Sequence, residues 1–161
     1  QWARGRPEAA DRALARALAL DPDAPDVWAA AAEMSLERGR LGLARARLRS
    51  ALRRAPGHPQ ALALLVRWLL AVGRPRQARA AARVALRQAG PGAMVVRHLA
   101  QAHLELGEPQ QARLVLRRYV LEAPADAEGY RLLGRALEAC GDVEGAAAQA
   151  RLASAVEGLA R

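Results

Sequence analysis

The sequence predicts an all-α solenoid built from antiparallel helix pairs, and three observations carry that prediction. Gly5, Gly39, Gly73, Gly107 and Gly141 recur every 34 residues without a slip. An alanine follows each of them at a constant offset: Ala10, Ala44, Ala78, Ala112 and Ala146. Pro22, Pro56, Gly90, Pro124 and Gly158 keep the same step and set helix-breaking residue types where a helix is due to stop. A fixed period of this length marks a chain whose units bury their apolar faces by stacking on one another.

The helices follow in order. Residues 1–4 read as the tail of a cut first helix, and Pro7 opens the next in its first turn, where the missing N–H costs least. That helix runs to Leu20, with Ala10, Leu14, Ala17 and Leu18 on one face, and Asp21-Pro22-Asp23 ends it. The next runs from Pro25 to Arg38 with Asp23 as its expected N-cap. Beyond Gly39 a second helix reaches Arg54 with Ala44, Leu48, Ala51 and Leu52 inward. The unit then recurs: Pro59–Val72 with Pro75–Gln88, Ala93–Leu106 with Pro109–Glu122, and Ala127–Ala139 with Val143–Leu159. No stretch alternates as a strand would. The units are residues 1–24 (partial), 25–58, 59–92, 93–126 and 127–161, together one solenoid.

Each recurring position has a physical reason. The glycine takes φ > 0 after a helix and lets the chain reverse in few residues. The alanine sits where the two helices of a pair cross closely, opposite Ala32, Val66, Ala100 and Gly134. Two positions break the pattern. Tyr119 stands where other units have Ala17, Ala51, Ala85 and Ala153, and Trp68 replaces Met34, Ala102 and Ala136. In the unit of Trp68 the large inward residue of the second helix shrinks to Ala82, so the indole is expected to fill that space. In the last helix Ser154 replaces Leu18, Leu52, Leu86 and Val120, as suits an end with nothing stacked beyond it. The array is expected to end near Arg161 and to have further repeats upstream of Gln1.

Composition bounds the chemistry. The chain lacks Lys, Asn, Ile, Phe and Thr, so all 25 of its basic residues are Arg, and its net charge is +9. Four of the missing types have AT-rich codons, which points to a GC-rich genome and accounts for part of the charge. One cysteine, Cys140, excludes an intramolecular disulfide framework and a multi-cysteine zinc site. No apolar run approaches a membrane-spanning length. The composition does not choose between cytoplasm and periplasm.

The chain resembles the tetratricopeptide repeat (TPR) family. Residues 25–56 carry Trp28, Ala32, Gly39, Ala44, Leu48, Ala51 and Pro56 in register, and the last unit carries Tyr130, Leu133, Gly134, Gly141, Ala146 and Ala153. The resemblance implies a right-handed superhelix whose first helices line a concave groove for a peptide or partner helix. It implies assembly, chaperone-like or secretion-system roles in bacteria, with a protein partner. The wall would then comprise Glu33 and Glu37, then Arg67, then Arg97, Gln101 and Glu105, then Arg131 and Arg135. Arg97, Arg131 and Arg135 would take the carboxylates of an acidic segment. The asparagine and lysine clamp of chaperone-binding members is absent, so a chaperone tail is not expected.

Other surfaces and classes compete with that reading. Arg45, Arg49 and Arg53 form a row on one helix face; Arg79, Arg83 and Arg87 repeat it, and Arg113 with Arg117 repeat most of it. Such rows could attract an anionic polymer or surface, although arginine stems also pack over apolar surface with no ligand at all. Nucleic acid is not the expected partner. Similar arrays are also fused to glycosyl- and sulfotransferases, where they recruit substrate. No catalytic function is expected: Cys140 lacks a neighbouring base, and His98 and His103 have the wrong spacing for one metal on one helix face. Neither a cofactor nor a metal is expected. His103 reads as a packed, hydrogen-bonded ring, and His58 lies in a turn.

Overall fold

Proline opens five of the helices, at Pro7, Pro25, Pro59, Pro75 and Pro109, because its fixed φ suits the first turn and its missing N–H would have had no partner there. The computed structural model describes residues 7–90 and 92–159; Gly5 and the expected helix tail lie outside them. Among the described residues the elements are α1 (Pro7–Leu20), α2 (Pro25–Glu37), α3 (Leu41–Arg54), α4 (Pro59–Ala71), α5 (Pro75–Ala89), α6 (Ala93–Glu105), α7 (Pro109–Glu122), α8 (Ala127–Ala139) and α9 (Val143–Leu159). These residues contain no strand. The architecture is an all-α, TPR-like solenoid.

The corners form as the glycines require. Gly39, Gly73, Gly107 and Gly141 have φ of 67°, 69°, 70° and 85°. At the first corner the Gly39 N–H bonds the Leu36 carbonyl at 3.0 Å and the Arg40 N–H reaches back to Ser35 at 2.8 Å. Two carbonyls left over at the helix end are thereby satisfied, and a left-handed residue between them is the condition. The same pair of bonds recurs at the other three corners.

Small residues then bring the helices of a pair together. Ala44, Ala78 and Ala112 are wholly buried, as are Ala32, Val66 and Ala100. A Cβ on Gly134 would lie 3.4 Å from the Ala146 carbonyl oxygen, so α8 and α9 cross almost backbone to backbone. Two apolar clusters make up the core, one over α2 to α6 and one over α6 to α8, with Leu86 and Val115 packed against both.

Helix-to-helix contact also sets the curvature. Each helix packs on its neighbour in sequence, and α2, α4, α6 and α8 also touch one another along the array. Among the described residues no such contact joins α3, α5, α7 and α9. The first helices of the pairs are therefore on the tight inner side, and the second helices are splayed on the outer side.

One local expectation is corrected and another gains detail. Asp23 does not cap α2: Ala24 holds the cap position without a side-chain bond, and the Asp23 carboxylate instead accepts from Arg54 Nε at 3.2 Å. Trp68 is buried as expected, at 8% exposure, and its polar contacts run to α3. Its indole N–H donates to the Leu41 carbonyl at 2.9 Å, and the Arg45 guanidinium lies 5.7 Å from the ring centre. The ring serves the α3–α4 seam.

Candidate functional site

The inner face is built by side chains one turn apart on α2, α4, α6 and α8. Its charges are largely consumed within the protein. Asp26 accepts from His58 Nε2 at 2.7 Å, while His58 Nδ1 accepts the Ala61 N–H and so caps α4. Glu33 accepts from Gln60 at 3.0 Å. Gln101 donates to Glu105 at 3.1 Å on the same helix. Glu37 remains exposed at the end of α2.

The arginines expected to receive carboxylates divide into two kinds. Arg97 donates to Asp126 at 3.2 Å, and Arg131 holds both Glu128 at 3.0 Å and Glu157. These two are already paired. Asp126 is in addition the N-cap of α8, accepting the Glu128 N–H at 3.1 Å, and it receives the Tyr119 hydroxyl. Arg67 and Arg135 make no such pair among the described residues. They occupy the same place in their units, flanking the place of Gln101.

Between the two central helices lies a half-buried histidine. His98 is pulled down to a pKa of about 4, first because burial disfavours its charged form, then because Arg67 and Arg97 face it. Its Nδ1 is buried and unpartnered among the described residues. At neutral pH the ring is uncharged, so it adds bulk and no charge to the trough. Its equivalents in the neighbouring units are Leu64 and Leu132.

The outer arginine rows also differ from their expected uniformity. Arg79 is not a free surface cation: Glu108, carried on the α6–α7 turn, accepts from it at 2.6 and 2.8 Å. Glu108 also accepts from the buried His103 Nδ1 at 2.7 Å. The hydrogen bonds from Arg79 and then from His103 hold its carboxyl below the usual range. His103 is thus a packed, hydrogen-bonded ring, as expected. Arg113 is half-buried, with a buried Nε that has no partner among the described residues. Arg45 leans over Trp68. Arg49, Arg53, Arg83, Arg87 and Arg117 stay exposed, and none has an acidic partner among the described residues.

Two features escaped sequence reasoning. One is the pairing of Tyr119 with Gly129: a Cβ on Gly129 would stand 2.7 Å from Tyr119 Cε1. The other units carry Val27, Ala61 and Val95 at the place of Gly129, so the signal was a glycine opposite an oversized ring. The second is Arg47, which donates to Ser35 Oγ at 2.7 Å and to the Ala31 carbonyl at 2.9 Å, anchoring α3 on α2. Cys140 closes α8, with its sulfur 3.3 Å from Gln110 Oε1. No helix of the described residues is long and apolar enough to cross a membrane.

Stacked helix pairs, left-handed glycine corners and an inner trough define a repeat-solenoid interaction module. The tetratricopeptide repeat family model matches residues 1–67, 35–95 and 69–136, and the chain belongs to that family. Comparison with curated proteins finds no match. Solved structures do match. PilW, titled a widely conserved type IV pilus biogenesis factor, has a TM-score of 0.82 at 19% identity over 91% of this chain and 68% of its own. A thermophilic TPR protein of Thermus thermophilus has a TM-score of 0.77 at 21% identity, covering 87% of this chain and 79% of its own. MamA has 0.72 at 18% identity, covering 91% and 85%. At such identities the likeness establishes the shared fold. Family membership makes the chain a protein–protein interaction module.

Proposed function

We propose that the inner trough holds an acidic segment of a partner protein, and that Arg67 and Arg135 receive its carboxylates. The observation that carries this reading is the division among the inner arginines. Arg97 and Arg131 are already paired within the array, whereas Arg67 and Arg135 present guanidinium groups with no acidic partner among the described residues. A guanidinium fork accommodates a carboxylate bidentately, so two of them at equivalent places can read an acidic chain lying along the array. The paired arginines keep α8 and α9 in place and contribute less to the partner directly.

The test starts with capture of partners by the full chain, identified by mass spectrometry, and then measures affinity for the captured segment. Arg67→Ala with Arg135→Ala should weaken binding by roughly tenfold or more, and raising salt should shrink that difference. Arg97→Ala should act mainly on stability. If the Arg67 and Arg135 pair can be removed with no change in affinity, the trough does not read carboxylates.

A further inference from the structure

The outer side carries a second pattern that the trough does not use. Because the second helices are splayed, an apolar cleft opens beside α4, another beside α6 and a third beside α8, with volumes of about 340, 450 and 470 Å³. The three clefts share a floor and a wall that recur with the period of the sequence. Leu65, Leu99 and Leu133 are their floors. Leu52, Leu86 and Val120 are the matching walls on α3, α5 and α7. Arg49 and Arg117 line the first and third, and Arg83 holds the same place beside Leu86.

Two further observations concern what such clefts would hold. Among the described residues, every large hydrophobic that is notably exposed lies on a second helix: Leu20, Leu43, Leu114, Leu121, Val143, Leu152 and Leu159. In addition, Arg49, Arg83 and Arg117 have no acidic partner among the described residues. Two acids line the clefts, Glu122 the second and Asp142 the third, and each already accepts a hydrogen bond from its own helix or turn. Glu122 accepts from Arg118 at 2.9 Å, and Asp142 accepts the Gly145 N–H at 2.8 Å.

We infer that this outer side is a second docking surface, whose occupant is an acidic amphipathic helix of another protein. Its apolar side chains enter the clefts and its carboxylates meet Arg49, Arg83 and Arg117. Charge complementarity selects that occupant: a second copy of this chain would bring its own excess of arginine against these arginines. A single-stranded nucleic acid would find one half-buried ring in the three clefts, Tyr130, since Trp68 and Tyr119 are 8% and 5% exposed, and one ring is no row of stacking platforms. This surface lies opposite the trough, so both could be engaged together.

The test uses the full chain and a fluorescein-labelled synthetic helix with leucines on one face and glutamates on the other, read by anisotropy. The expected result is saturable binding, with a scrambled peptide of the same composition about tenfold weaker. Arg49→Glu with Arg83→Glu and Arg117→Glu should weaken binding by at least about tenfold. Leu114→Glu, on the exposed wall of the central cleft, should do the same at unchanged melting temperature. Arg67→Ala with Arg135→Ala should leave binding unchanged, which separates this surface from the trough. Four binding results would overturn the inference: no saturable binding, equal binding of the scrambled peptide, binding lost only on changing Arg67 and Arg135, or tighter binding of a DNA duplex than of the helix. Sedimentation showing a dimer of the chain that Leu114→Glu dissociates would replace the acidic helix with a second copy, and would also overturn it.

Discussion

The α3–α4 seam and the α7–α8 seam each accommodate one oversized aromatic ring, and they do so by different means. In the first, Trp68 projects from the inner helix toward α3, where its N–H finds the Leu41 carbonyl and its face finds Arg45. Among the described residues no glycine stands against that ring, and the splayed outer helices leave space beside α4. In the second, Tyr119 projects from the outer helix toward α8, into the crowded side of the stack. There Gly129 gives up its side chain, and the hydroxyl is taken by Asp126. An aromatic ring entering from inside to outside thus meets room, whereas one entering from outside to inside meets backbone.

The largest expected effect belongs to the first seam. Trp68→Ala should destabilise the array by roughly 3–5 kcal/mol, measured by denaturant unfolding. A loss under about 1 kcal/mol would mean that the ring only decorates the seam. The next effect lies between the seams. The folded pKa of His98, about 4, is below its ordinary 6.5. In that interval the unfolded chain binds the extra proton, so stability should fall as pH drops from 6.5 toward 4 and flatten below. The loss should be on the order of 2–3 kcal/mol. His98→Leu, which restores the residue of the neighbouring units, should remove that slope; an unchanged acid profile would show His98 to be solvated. The smallest effect is a sign. Gly129→Ala should cost about 1–3 kcal/mol against the intact ring. In a Tyr119→Ala background the same change should become stabilising by about 0.5–1 kcal/mol, the usual helix preference for alanine. If the sign does not reverse, Gly129 is not the ring's counterpart.

Several features of the fold were legible in residues taken one at a time. Gly39 and its equivalents announced corners because few other residues adopt positive φ without strain. Pro25, Pro59, Pro75 and Pro109 announced helix starts for an equally local reason. The candidate site was much less legible. Arg97 and Arg67 look alike in sequence, and both sit on the inner face. What separates them is Asp126, 29 positions from Arg97, which comes within reach only when one unit stacks on the next. Arg79 was likewise read as a surface cation because its own helix carries no acid; Glu108 arrives from the following turn. Asp23 looked like a cap by its place before α2, yet Arg54 draws it away.

The sequence by itself determined the period, the corners, the close crossings and hence the family, because each depends on backbone conformation or side-chain size at a fixed phase. Only the tertiary structure decided which arginines are paired, which remain open, and where the outer clefts lie. Ion pairs form between different elements, between residues some 26 to 31 positions apart, and no local periodicity specifies which charge meets which.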